Sequence, residues 1–211
     1  MPSLRQLLAA HAPLLLIDAA SARVHAGIFA PDGSSRWAAS DDEAGTAVFC
    51  CVAELGADPG AVGAFLFCEG PGSVLGVRVA AMALRIWRAE APRPVFAYRS
   101  LVLVARAVDR PEVGVIADAR RDLWHHAARD GTLQRLPPGD LTGTLLMPEG
   151  FRHWSPLPPG VDRVPYDVPD LVRRTIDADL FAESREPDSF LHEEPRYAAW
   201  TPKMHRPPGA S

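Results

Sequence analysis

The sequence predicts an α/β fold made of two related halves, the second reduced and rich in loops. Short apolar runs alternate with helical stripes through the first half of the chain. Two apolar runs end in an aspartate, Asp18 and Asp118, and an Asp-Gly turn follows each, 14 and 12 residues later, at Asp32-Gly33 and Asp130-Gly131. A pattern that occurs only twice reads as a duplicated half rather than a solenoid, with chance alignment of two hairpins as its rival. Beyond Leu136 lie 13 of the 21 prolines, and prolines that dense exclude long helices. The expected boundaries are 1–110 for the first lobe, 111–200 for the second, and 201–211 for a mobile tail.

After a polar start, Leu14 to Ile17 is a continuous apolar run that suits a strand buried on both faces. Val24–Ala30 and Ser34–Ala39 flank the Pro31-Asp32-Gly33 turn and read as a hairpin. Asp41 or Asp42 is placed to cap a helix through Ala47, Val48, Cys51, Val52 and Leu55, ending near Gly56. Ala64–Cys68 reads as another buried strand, followed by a helix from Val74 to about Ala89 that the prolines at 92 and 94 close. Val95–Tyr98 is a further strand, and Ser100 is expected to cap a helix over Leu101–Val108. The second half opens with strands at Val113–Asp118, Leu123–Arg129 and Thr132–Leu136; Leu171–Ile176 is its best helix.

With 47% hydrophobic and 23% charged residues, a packed core is expected, and a net charge of -4 gives no global basic field for nucleic acid. No uncharged apolar run is long enough to span a bilayer. Arg5, Leu14–Ile17 and Ala20-Ser21-Ala22 imitate a secretory signal, but Pro13 splits the apolar stretch and Asp18 interrupts it. Three cysteines, two of them adjacent as Cys50-Cys51, form no disulfide framework and point to a reducing, cytoplasmic setting.

Candidate chemistry is sparse. Gly70-Pro71-Gly72-Ser73, between a strand and a helix, suits an anion on backbone amides, with Gly76 one turn on; the plainer reading is a tight turn and close packing. It is neither a Walker loop nor a dinucleotide fingerprint. Asp18 and Asp118, at strand ends, could hold a metal-nucleotide or simply cap their turns, with Ser21 as a nearby hydroxyl. No two histidines lie four apart and Ser73 has no nucleophile elbow, so neither a metal site nor a catalytic residue is assigned. The helix from Val74 is apolar on almost every side, with only Arg78 and Arg85 breaking its run, and so requires cover from more than its own sheet.

Leu15-Leu16-Ile17-Asp18-Ala19-Ala20-Ser21, Gly70-Pro71-Gly72-Ser73-Val74-Leu75-Gly76-Val77-Arg78, Ile116-Ala117-Asp118-Ala119-Arg120 and the late Pro195-Arg196-Tyr197 resemble, in order and spacing, the TsaB (YeaZ) family of the glycoprotease-like, or peptidase M22, superfamily. The resemblance implies two ribonuclease H-like lobes of the actin/Hsp70/sugar-kinase type. It also implies a non-catalytic role supporting threonylcarbamoyl transfer to adenosine 37 of tRNA, with a TsaD-type catalytic subunit and a TsaE-type ATPase as partners. On that reading tRNA is met only indirectly, the chain binds no cofactor itself, and a homodimer when alone and ATP at the complex interface are both allowed. The pairing face falls on the first lobe's helices, here Val74, Val77, Arg78, Ala81, Met82 and Arg85; nucleotide or anion contact falls to Asp18, Ser21, Gly70, Gly72, Ser73, Gly76 and Asp118. The sequence departs from the family where Val74-Leu75-Gly76 replaces Phe-Thr-Gly and Ala19 replaces Thr, and the family's early His-Ser pair is absent. The alternative is a divergent kinase-like nucleotide-binding protein of the same fold, using Asp18 and Asp118; a metalloprotease ranks last.

Overall fold

The structure, a computed structural model, describes residues 1–190. The Pro195-Arg196-Tyr197 element, Trp200 and the tail from 201 lie outside the described residues.

A helix not expected from the sequence comes first, α1 (Leu4–His11). The Ser3 hydroxyl accepts from the Gln6 amide while the Gln6 side chain accepts from the Ser3 amide, a reciprocal cap over Leu4 and Leu7, which point into the core. Then follow β1 (Leu14–Asp18), β2 (Val24–Phe29) and β3 (Ser35–Ser40), an antiparallel meander. β1 is buried along its whole length, as its unbroken apolar run requires. α2 (Ala44–Glu54) starts later than expected: Glu43 stands at its N-cap without a side-chain bond, and Asp42 instead accepts from the Ser40 hydroxyl. Of the vicinal cysteines, Cys51 is buried on the apolar side and Cys50 is exposed.

β4 (Ala64–Gly70) and β5 (Val95–Arg99) run parallel to β1 and are joined by α3 (Val74–Glu90). In α4 (Ser100–Val108), Ser100 is the first helical residue rather than the cap, and its hydroxyl donates to the Pro71 carbonyl at 2.5 Å. The second sheet comprises β6 (Val113–Asp118), β7 (Trp124–Ala127), β8 (Leu133–Leu136), β9 (Thr144–Pro148) and β10 (Val161–Val164). α5 (Val168–Arg174) begins and ends earlier than the predicted helix, and the two-residue β11 (Ala182–Glu183) pairs with β5. The end of the described chain therefore returns to the first sheet, so the lobes are not contiguous in sequence as the predicted boundaries had them.

The strand orders are β11-β5-β4-β1-β2-β3 and β10-β9-β6-β7-β8. Without the β11 edge the two are the same: a central strand, two antiparallel strands on one side and two parallel strands on the other. These are two ribonuclease H-like lobes, and the duplicated half legible in Asp18 and Asp118 is structural. In the second lobe the connection between parallel β9 and β10 is the loop 149–160 instead of a helix. α4 is packed between the lobes, against β4 and β5 of one and β6 and β7 of the other. One core cluster lies on this inner side; the other lies under α2 and α3 on the outer face of the first sheet.

Candidate functional site

A cleft of about 610 Å³ opens between the lobes. Its first-lobe wall is the turn after β1, the residues from Asp41 to Ala44 and the start of α3; its second-lobe wall is Asp118, Arg120 and the β9–β10 loop with Arg152 and Trp154.

Asp18 is not on this cleft. It is fully buried, and its Oδ2 accepts from the Tyr98 hydroxyl at 2.5 Å and the Tyr166 hydroxyl at 2.8 Å, while Oδ1 accepts from the Ala20 amide at 2.9 Å. A carboxylate so enclosed is a packing and turn element, because any ligand would have to displace both tyrosines. Burial, then the Asp18 charge, holds both phenols well above the ordinary tyrosine range, so they remain donors. The expected metal-nucleotide role for Asp18 is thereby corrected.

Ser21 does line the cleft, but its hydroxyl both donates to the Arg23 carbonyl (2.8 Å) and accepts from the Arg23 amide (3.1 Å). Gly70 lies off the cleft, while Gly72, Ser73 and Gly76 are on its wall. Their purpose is close packing. The Ser73 amide donates to the Ala20 carbonyl at 2.7 Å, and the Ser73 hydroxyl caps α3 by accepting from the Gly76 amide at 3.2 Å. A Cβ on Gly72 or Gly76 would sit closer than 3.0 Å to the carbonyl oxygen of Ala20 or Ala19. The anion cradle is thus corrected to a backbone-on-backbone contact: carbonyls from the turn after β1 press on the start of α3.

Asp118 is only partly buried and holds two segments together. Its Oδ1 accepts from the Arg120 amide at 2.5 Å, and its Oδ2 from the amides of Trp154 (2.7 Å) and Ser155 (2.8 Å). Burial opposes its ionisation, but the amides of Ser155, Trp154 and Arg120 outweigh it and keep the carboxyl below the usual range.

α3 carries two different apolar faces. Gly76, Val77, Ala80, Ala81, Ala83 and Leu84 are buried, so Val77 and Ala81 belong to the chain's own core and not to the expected pairing face. Val74, Leu75, Met82 and Ile86 are exposed, and so is Phe49 of α2, whose ring meets Trp87 of α3 edge-on at 6.1 Å. Sequence reasoning missed Leu75, Ile86 and Phe49. Arg78 and Arg85 are exposed but flank Asp188, at 4.0 and 3.4 Å, so the strap running on from β11 borders this face. That strap is pinned by the Phe190 amide, which donates to the Glu69 carbonyl at 2.6 Å, and by the Arg99 guanidinium over the Phe190 ring at 4.3 Å. Among the described residues no cluster of three or more His, Cys, Asp or Glu side chains is arranged to hold a metal ion, and no helix is long and apolar enough to cross a membrane.

YeaZ from Pseudomonas aeruginosa is similar in structure at a TM-score of 0.57, with 21% sequence identity over 76% of this chain and 89% of that one. The chain shares the YeaZ fold. An uncharacterised protein with similarity to peptidase YeaZ from the same organism matches at a TM-score of 0.54, also 21% identical, over 76% of this chain and 88% of that one. No protein-family model matches the chain, and no curated protein does. Against the YeaZ fold, the motif residues divide cleanly: the glycines seat α3 on the turn after β1 within the first lobe, Asp18 joins the lobes through Tyr166, and what remains open is the outer strip on α2 and α3 and the second-lobe rim of the cleft.

One pH response follows from the same core. His25, paired across from Asp18, is nearly fully buried and its Nδ1 has no hydrogen-bond partner. Burial pushes its pKa down, against the opposing pull of Asp18, and burial pushes His126 down as well. Both imidazoles are therefore neutral in the fold, and the unfolded chain takes up protons first, below about pH 6.5. Stability is full above that value and falls as pH drops through it. Urea midpoints should decline from about pH 7 to about pH 5, and His25→Gln should flatten the decline; an unchanged slope would contradict neutral burial of His25.

Proposed function

We propose that this chain is a non-catalytic member of the TsaB (YeaZ) family that pairs, through the exposed strip on α2 and α3, with a TsaD-type subunit in the threonylcarbamoylation of adenosine 37 of tRNA. The observation that carries this reading is the strip itself: Leu75, Met82 and Ile86 stand 66%, 58% and 55% exposed on one side of a helix whose other side is fully packed. Leu75, Val79, Met82 and Ile86 follow the spacing of a single helical face. Large side chains left in water along one line favour association, since burying them removes apolar area from solvent. The YeaZ likeness supports the pairing partner, and the burial of Asp18 beneath two tyrosines weighs against the kinase-like alternative. A TsaE-type ATPase would join the pair, with ATP at the complex interface and tRNA held by the partner. The chain would work in the cytoplasm, and alone it would self-associate through the same strip.

Mixed with a TsaD-type subunit from the same source, the chain should co-elute on size exclusion and complete a tRNA-modification reaction that also contains TsaE. A Leu75→Asp/Met82→Asp variant should weaken the pair at least about 30-fold, the effect of losing a binding hot spot, without lowering the melting temperature. Co-elution that the double variant does not disturb would remove the strip from the interface. Failure of the unaltered chain to co-elute would remove the pairing itself.

A further inference from the structure

Most arginines of the described chain are tied up. Arg5, Arg23, Arg78, Arg85, Arg99, Arg110, Arg129, Arg173 and Arg174 form ion pairs, and Arg88, Arg93, Arg106 and Arg135 donate to backbone carbonyls. Two that are not tied up, Arg120 and Arg152, stand on one wall of the cleft, with Arg121 next to Arg120 in the chain but off the cleft lining. Arg121 and Arg152 make no hydrogen bond or ion pair among the described residues, and the Arg120 guanidinium only stacks, 4.0 Å from the centroid of the Trp154 ring. Trp154 is 62% exposed, the most exposed aromatic side chain among the described residues, and it stands with Arg120 and Arg152 on the second-lobe wall of the cleft.

This cluster is held in place. Asp118 binds the backbone on both sides of the stack, at the Arg120 amide and at the Trp154 and Ser155 amides, so the ring and the guanidinium are positioned without using any of their own polar atoms. A flat ring backed by a cation, with the unengaged Arg152 on the same wall, matches a ligand that is planar and apolar at one end and anionic at the other. We propose that the Trp154 rim binds an unpaired nucleotide: the base stacks on the ring and the phosphate lies against Arg120 and Arg152. Asp41, Asp42 and Glu43 on the opposite wall repel the phosphate and keep it on the second-lobe side. The site lies on the second-lobe wall, across the cleft from Val74 and Leu75 where the α3 strip begins, and goes beyond the pairing role; it needs no partner chain.

The test uses the full chain and three probes: adenosine monophosphate, a short single-stranded oligoadenylate, and the same oligomer paired with oligouridylate. Single-strand affinity should fall roughly 5- to 150-fold in Trp154→Ala, the range for losing one base stack, while Trp154→Phe retains most of it. Arg152→Ala should reduce the salt dependence of binding by about one phosphate contact, while Arg36→Ala, far along the chain on β3, should leave it unchanged. The Ala substitution removes the ring but leaves the amide tether to Asp118, so the melting temperature should hold; Arg152→Glu, at an exposed position, gives a second variant that spares the stack. Full competition by the monophosphate identifies a free nucleotide as the source, and binding of the oligomer alone identifies RNA. Preference for the duplex, equal affinity in Trp154→Ala, or no saturable binding of any probe would overturn the site.

Discussion

Gly76→Ala should abolish the native fold, although alanine is the better helix former. Within a helix the exchange is worth up to about 1 kcal/mol in favour of alanine. Here a Cβ would stand closer than 3.0 Å to the Ala19 carbonyl oxygen, which is backbone and part of the turn leaving β1. Neither side yields easily: β1 is fully buried, and the Ser73 amide ties the start of α3 to the adjacent Ala20 carbonyl. The expected loss is about 3 kcal/mol or more, at or beyond the upper end of ordinary overpacking, because the atom displaced is backbone. Gly45 is the control, since it lies in α2 with nothing within 4 Å of the point where a Cβ would stand, so Gly45→Ala should raise stability by up to about 1 kcal/mol. Urea melts and soluble yield of the two variants read both outcomes; a folded Gly76→Ala would mean that the α3–β1 contact is loose.

That contact also explains what the sequence could convey. The motif around Gly70 to Gly76 stands out because three glycines in seven residues join a strand to a long helix, and its position is legible. Its purpose is not, since a glycine that lets a phosphate approach and one that lets a carbonyl approach are the same letter. The repeated hairpin is legible from Asp18 and Asp118 because hairpin chemistry is local. The two faces of α3 are not separable by hydrophobicity, as both are apolar, and Val77 and Ala81 therefore fall on the wrong one. Residue size holds the missing signal: the buried face is Gly, Ala, Val and one Leu, which let the helix approach its sheet, whereas Leu75, Met82 and Ile86 are long and point outward. α1 is announced by Ser3 and Gln6, a capping pair three apart, but only two core leucines follow it. Trp154 gives no sequence signal, because its significance depends on Asp118 drawing a distant loop to the Arg120 turn.

Asp18→Leu should cost roughly 2–6 kcal/mol, because it strands the Tyr98 and Tyr166 hydroxyls in the core at about 1–3 kcal/mol each. Tyr98→Phe combined with Tyr166→Phe should cost a similar amount for the converse reason, a buried carboxylate stripped of both hydroxyl donors. The informative variant is the triple one. Replacing all three polar groups leaves only the Ala20 amide without its acceptor, so its loss should be well below the sum of the other two, and that non-additivity distinguishes a closed hydrogen-bond network from three independent packing contacts. Tyr166 follows β10 in the second lobe while Asp18 ends β1 in the first, so the network also fastens the two lobes together across the inner core. Losses that simply add would show that these groups do not act as a unit. The reduced second lobe, with a loop in place of its crossover helix, would then be held to the first by apolar packing around α4 and by backbone contacts such as the Ala22 amide on the Gly150 carbonyl.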